Sequence, residues 1–491
     1  MKKYEMWVNN AWVKPASGEW FESMDPYTGE TWAMIPRGNV ADADAAVNAA
    51  HKAFTTGEWP KLNATQRGAL LRRLGDLIAK NAKHLAETEV YDNGKLISEM
   101  QGQLNYVSQW YYYFGGLADK IEGSVIPIDK PNMLTYTKHE PLGVVSCIIP
   151  WNSPLMLVAW KLAPALAAGN TVVLKPSEYT SASLLEMAPL FAEAGFPPGV
   201  INVITGYGAE VGMPLVEHPK VAKVAFTGSD ATGQKIYQAA AAGIKRVSLE
   251  LGGKSPNIVF DDANIDNAVN GAVAGIFAAA GQACIAGSRL LVQRSIHDQF
   301  VERLVAMGKS VKMGNPQLHD TQLGPVANKP QYDKVLSYFE VGRSDGATLA
   351  FGGKRSERPG TDKGLFVEPT IFTGVNNEMR IAREEVFGPI ASVIPFDDEE
   401  EALAIGNDTN YGLAAGVWTQ SMRRMKYMSD NLKAGMVWVN TYRAVSFMSP
   451  FGGFKRSGVG RENGQEAIRE YMQTKAVWIS TGDEPYPFVL R

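Results

Sequence analysis

The spacing of apolar positions divides the chain into regions of different rhythm. In NATQRGALLRRLGDLIAKNAKHLAE (63 to 87), Leu70, Leu71, Leu74, Leu77, Ile78 and Leu85 recur at helical spacing. Asn63 with Gln66 has the form of a capping box, so the stretch predicts a helix packed on one face. From about residue 143 the pattern turns to short β-rich runs, VVSCII, NTVVL, VINVI, VAKVAF, RVSLEL and NIVF, separated by helical stretches. That alternation predicts a parallel sheet covered by helices, an α/β architecture whose ligands gather where strands end. A second α/β region is expected over 253–455, punctuated by turns at KMGNPQ, ATLAFGGKRSERPGTDKG and SPFGGFKRSG. The Pro-bounded segment GSVIPIDKPNMLTYTKHEPLG (123 to 143) predicts a projecting hairpin, and KAVWIS (475 to 480) a further exposed strand. Uncovered strand edges invite association, so a homo-oligomer is expected.

Composition acts mainly by exclusion. A length of 491 residues exceeds what one hydrophobic core supports and implies two or more domains. With 45% apolar residues, 20% charged residues and a net charge of -3, the chain reads as globular and carries no footprint for nucleic acid or an anionic membrane. The N-terminus lacks the apolar segment and cleavage site of a secretory signal. No apolar run has the length of a membrane span; VAWKLAPALAAG carries Lys161 and ends against Asn170. Two cysteines make no disulfide framework and point to a cytoplasmic setting. Six dispersed histidines form neither HExxH nor a Cys/His zinc spacing, so no metal site is expected.

Candidate chemistry lies where the strands end. VAKVAFTGSDATGQKI reads as a strand, a turn at Gly228 and Ser229, and a helix containing Gly233, which aims backbone N–H groups at an anion. It is not GxGxxG, and close packing alone explains two glycines. In NTVVLKPSE, Lys175 closes a strand and Glu178 follows; both suit ribose hydroxyls, and the carboxylate would repel a 2′-phosphate, favouring NAD over NADP. An isolated Lys/Glu pair is otherwise a solvated loop feature. Glu250 in RVSLELGGKSPNIVF is either a carboxyl among leucines, with a raised pKa suited to a general base, or a residue turned to solvent. Asn152 in CIIPWNSPL is either an oxyanion donor walled by Trp151 or an ordinary turn residue. Of the two cysteines, Cys147 sits inside an apolar strand, while Cys284 lies in GQACIAGSR among small residues with Arg289 nearby. A lone free cysteine is more often a packing residue than a nucleophile. GRSDG (342 to 346) matches GxSxG, but it follows a helical stretch and has no histidine partner.

Taken in order, PWN, KPSE, FTGSDATG, LELGGKSPNIV, GQACIAGSR, EEVFGPI and SPFGGFKRSGVGRENG resemble the NAD(P)-dependent aldehyde dehydrogenase superfamily, from VNNAWV to YMQTKAVWIS. The resemblance implies a Rossmann-like NAD-binding domain from 1–122 and 144–252 and an α/β catalytic domain over 253–455. It assigns 123–143 and 456–491 to a small β oligomerisation element and C-terminal arm, in a homodimer or homotetramer. It makes Cys284 the nucleophile, Glu250 the base that activates water, and Asn152 an oxyanion donor beside the Cys284 N–H. Lys175 and Glu178 would hold the adenosine ribose, and Ser229 the pyrophosphate on the turn shaped by Gly228 and Gly233. Trp151, Ile149 and Leu251 would border the cofactor cleft, with Glu385 on the nicotinamide ribose and Phe387 against the nicotinamide. CoA-acylating relatives lack a carboxylate at the position of Glu250, so hydrolysis of a cysteine thioester is implied, giving NAD-dependent oxidation of an aldehyde to an acid. A catalytically silent protein on the same fold is the competing reading, opposed by the joint presence of Cys284, Glu250 and Asn152. On the substrate side, Arg443 in NTYRAVSFM suits a carboxylate-bearing semialdehyde or is a solvated loop residue. Tyr106, Trp110, Trp160 and Phe451 suit a bulky or aromatic aldehyde, or are core packing.

Overall fold

In the computed structural model, which describes residues 1–482, two large sheets meet edge-on. Residues 483–491, the end of the expected C-terminal arm, lie outside the described residues. The first sheet has eight strands. At its centre Val144–Ile148 lies between Thr171–Lys175 and Val221–Thr227, all parallel, with Ile201–Val203 beyond one and Arg246–Glu250 beyond the other. The chain leaves Val144–Ile148 in one direction and returns to pair on its other side, so strand order reverses there and opens a crevice at the carboxyl ends. Into that crevice project the two loops that follow, 149–153 and 228–229.

The second sheet has seven strands, parallel except for the edge pair Thr348–Phe351 with Thr370–Thr373. Its core is Ile390–Phe396, Arg289–Gln293, Pro256–Val259 and Ala414–Trp418. NIVF belongs here rather than to the first sheet. Only residues 251–255 connect Arg246–Glu250 to Pro256–Val259. A link this short brings the carboxyl edge of the first sheet against the amino edge of the second. The expectation that functional residues follow strands therefore holds for the first sheet and fails for the second, where Cys284 and Glu385 precede their strands.

The helix expected over 63 to 87 spans Ala64–Asn93, opens with the reciprocal Asn63/Gln66 capping box and ends at Gly94 in the left-handed region. Of the six apolar positions, Leu70, Leu71, Leu74, Ile78 and Leu85 are buried and Leu77 is half-buried. It packs on Ile97–Leu117, and GRSDG falls across the C-terminal end of Lys329–Ser344, out of any nucleophile turn. The 123 to 143 segment and the tail pair with one another: Met133–Pro141 and Met472–Ser480 form a nine-residue antiparallel ladder, with Val125–Ile126 on the far edge. Trp478 and Ile479 stay exposed on this small sheet. Gly458–Val459 pairs with the end of Arg246–Glu250, so the start of the 456–491 stretch extends the first sheet. Among the described residues, no helix is long and apolar enough to cross a membrane.

Lys161, which interrupts the apolar run of helix Pro154–Ala167, is fully buried against the equally buried Glu462. Beside them the Trp110 indole N–H donates to Asn463 Oδ1 at 2.6 Å. Deleting one member of such a pair strands the other charge without solvent. Lys161→Met is expected to lower stability by about 3–5 kcal/mol, and adding Glu462→Leu to recover most of it, measured by chemical denaturation.

Candidate active site

The cleft between the two sheet edges, of about 150 Å³, is lined by Trp151 and Asn152 from the first crevice loop and by Gly228 and Ser229 from the second. Glu250, Leu251, Cys284, Glu385 and Phe387 complete it. Trp151 and Phe387 meet edge to face across it, with centroids 5.3 Å apart. Lys175 and Glu178 stand together at the neighbouring strand end, Nζ to Oε2 3.8 Å, and Ile149 donates its N–H to the Lys175 carbonyl at 2.9 Å.

Cys284 follows a strained turn. Ala279, Ala280 and Gly281 all have positive φ, a costly sequence for two alanines and one that surrounding structure must impose. A side chain at position 281 would collide with the backbone of Gly388, so only glycine fits, and one at 253 would come within 2.7 Å of the Cys284 carbonyl. Burial, with Glu250 and Glu385 facing it, pushes the Cys284 thiol up to about 12. Arg289 does not activate it: its guanidinium is buried and donates to the carbonyls of Lys254, Ile405 and Gly406 and to Asn377. Cys147 is fully buried in its strand, in the packing position expected.

Glu250 ends its strand 4% exposed, and neither carboxylate oxygen has a hydrogen-bond partner. Burial raises its pKa well above the carboxylate range, reinforced by Glu462 and opposed by Lys161 and Arg461. The solvent-turned alternative is thus excluded. The Asn152 amide donates to the Gln282 carbonyl at 3.0 Å, two residues before the cysteine. Glu385 accepts from the Gly253 N–H at 3.0 Å, and a side chain at Gly252 would occupy its carboxylate. Burial raises Glu385 to about 7, against the pull of Lys334 and Lys254.

Ser229 caps helix Asp230–Ala242, whose amino end faces the cleft. Asp230 in its first turn opposes an anion there, offset by Arg456 at 3.0 Å. Gly228 donates its own N–H to the Glu250 carbonyl, and a side chain there would strike the Phe226 ring. Gly233 seats its helix on Leu251, where a side chain would strike the leucine.

Sequence reasoning missed Gln331 and Lys334. From helix Lys329–Ser344 they donate to the carbonyls of Glu385, Val386 and Phe387 at 2.7 to 2.9 Å, holding Phe387 at φ 60. It also missed the buried Thr227 hydroxyl, which has no partner. Helical spacing marks neither Gln331 nor Lys334, since both sit on an ordinary polar face. On the substrate side, Trp160 and Phe451 are buried and 4.7 Å apart, and Trp110 stacks on Trp160 as core packing. Tyr106, at the exposed end, meets Phe447. Arg443 has φ 63 and donates to the Ala274 carbonyl at 2.9 Å. Among the described residues, no cluster of three or more His, Cys, Asp or Glu could hold a metal.

A recessed thiol, a buried carboxyl and an amide donor lie together beside a crevice at a strand reversal, an arrangement of the enzyme kind. The sequence matches the Aldehyde dehydrogenase family over residues 12–477, and the chain belongs to that family. It is 47% identical over the full length of both chains to (Z)-2-((N-methylformamido)methylene)-5-hydroxybutyrolactone dehydrogenase of Acinetobacter baylyi. It is 46% identical to an aldehyde dehydrogenase of Emericella nidulans, covering 98% of this chain and 97% of the relative. Betaine aldehyde dehydrogenase of Staphylococcus aureus, solved in complex with NAD+, superimposes with a TM-score of 0.97 at 40% identity, covering 99% and 97% of the two chains.

The raised thiol makes a prediction about the ligand-free protein. Iodoacetamide is expected to alkylate Cys284 and spare Cys147, at a rate climbing roughly tenfold per pH unit through the neutral and mildly alkaline range, without a plateau. Removing the facing charge with Glu250→Gln lowers the thiol pKa, so alkylation is faster at a given alkaline pH. Peptide mass spectrometry over time reads both.

Proposed function

We propose that the protein oxidises an aldehyde to its carboxylic acid with NAD, through a thioester on Cys284. The observation that carries this is the convergence of Cys284, Glu250 and Asn152 on the cleft that also holds the nucleotide-compatible groups. The cleft carries groups that a dinucleotide would use: the unpartnered Thr227 hydroxyl and the amino end of Asp230–Ala242 offer donors, and Glu385 is held in place by Gly253. Lys175 and Glu178 would take the adenosine ribose, Ser229 the pyrophosphate, and Glu385 with Phe387 the nicotinamide riboside. Glu178 disfavours a 2′-phosphate. Bound NAD supplies the acceptor for the hydride lost from the substrate carbon.

The chain's own residues do the rest. Cys284 Sγ, once deprotonated, attacks the aldehyde carbon, and the Asn152 amide with the Cys284 N–H donates to the oxyanion. Oxidation leaves the acyl group on Sγ as a thioester. Glu250 then takes a proton from water, whose oxygen attacks the acyl carbon and releases the acid and the thiol. Burial disfavours the carboxylate form of Glu250 that acts as base, so turnover is expected to rise with pH along a limb that includes this group.

The relatives' names give different substrates, a hydroxybutyrolactone for one and betaine aldehyde for another. In this chain the Arg443 guanidinium, on the loop before SPFGG, supports an aldehyde bearing a carboxylate over a cationic one. The exposed Trp478 and Ile479 on the small sheet support association into a homodimer or homotetramer, and two free thiols suit the cytoplasm.

NADH absorbance across an aldehyde panel, with NAD and NADP side by side, tests the reading; no signal with any aldehyde would overturn it. Cys284→Ala is expected to abolish turnover. Glu250→Gln is expected to retain a single-turnover burst of NADH while steady-state turnover falls about 10²–10⁴-fold and its pH limb flattens. Arg443→Ala is expected to lower kcat/KM roughly tenfold or more for succinic semialdehyde and to leave butanal unchanged. Equal losses on both aldehydes would remove Arg443 from substrate choice.

A further inference from the structure

We propose that Lys95 is a positioning residue for the oxyanion donor, fixing through Ser153 the corner on which Asn152 turns. Gly94 closes helix Ala64–Asn93 in the left-handed region, and a side chain there would come within 2.7 Å of Pro325, so the turn has one shape. It delivers Lys95, 8% exposed, under the loop that carries Asn152, where its ammonium donates to Ser153 Oγ.

Ser153 is the residue before helix Pro154–Ala167, yet its side chain makes no capping bond to that helix. Its hydroxyl accepts from Lys95 instead. Below it lies Glu89, completely buried, with neither oxygen in a hydrogen bond. The groups facing Glu89 are the Lys95 ammonium and the N–H of Leu155 in the first turn of the same helix. Burial raises the Glu89 carboxyl to about 7 and lowers the Lys95 ammonium, and each group partly offsets the other's shift. Asn152, next in the chain, has a side chain anchored only to the Gln282 carbonyl, so its aim follows the backbone at Ser153. Glu99 and Glu89 offset the charge of Lys95, while Arg443 and Cys284 lie within its reach. An unanchored corner would leave the amide free to swing, and oxyanion stabilisation depends on donors that do not reorganise.

The inference rests on Asn152 being the oxyanion donor, and a double-mutant cycle separates the two ideas. The probe is hydrolysis of 4-nitrophenyl acetate without cofactor, which reads acylation of Cys284, with NADH formation from propanal in parallel. Asn152→Ala is expected to slow acylation about 10²-fold. Lys95→Met and Ser153→Ala should each slow it roughly tenfold in the native background and less than about twofold in the Asn152→Ala background, because the group they aim is gone. The same loss in both backgrounds, which is what general destabilisation gives, would overturn the inference and leave Asn152 in its role. Full activity in both Lys95→Met and Ser153→Ala would also overturn it. A fully active Asn152→Ala would overturn the oxyanion reading and this inference together. Should Lys95→Met fail to fold, Ser153→Ala, which removes only the acceptor, carries the test.

Discussion

Residues 251–255 set the geometry on which the site depends. Because this link is so short, the sheet ending at Glu250 and the sheet beginning at Pro256 cannot be turned independently, and the carboxyl edge of one faces the amino edge of the other. Each edge contributes what its polarity provides. The first sheet gives a crevice at its strand reversal and the amino end of a helix; the second gives the loops that enter Arg289–Gln293 and Ile390–Phe396, with Cys284 and Glu385 on them. The glycines of the link take part directly: Gly252 leaves room for the Glu385 carboxylate and Gly253 donates to it.

Facing edges leave a recess that excludes water from titratable groups. Glu250, Glu385 and Cys284 all have their charged forms disfavoured, chiefly by burial, and the two carboxylates add to the effect on the thiol. A buried and unpartnered carboxyl such as Glu250 weakens the fold, and such groups persist where chemistry needs them. Of the neighbouring buried pair, Lys161 counters part of that burden and Glu462 adds to it.

Much of this was legible in the sequence, for reasons that differ by residue. The Asn63 capping box and the helical leucines behind it are local signals, and the structure has them where spacing puts them. The parallel strands from 144 to 250 were legible because runs buried on both faces are continuously apolar. Cys284 and Glu250 were ambiguous singly and became readable only as a set, since what distinguishes them is proximity across more than thirty residues. Gln331, Lys334 and Lys95 were not legible. Each acts through a tertiary contact with a carbonyl or hydroxyl far along the chain, and nothing in its local pattern separates it from a solvated side chain. The packing of Gly233 on Leu251 was not legible, because a glycine that seats a helix and one that admits a ligand look alike in one dimension.

The ladder between Met133–Pro141 and Met472–Ser480 joins strands more than three hundred residues apart, with both large sheets formed mainly by the chain between them. The pairing closes a long loop, whose entropic cost grows only slowly with length. Any surface this sheet offers to another copy therefore depends on the folding of the chain it encloses.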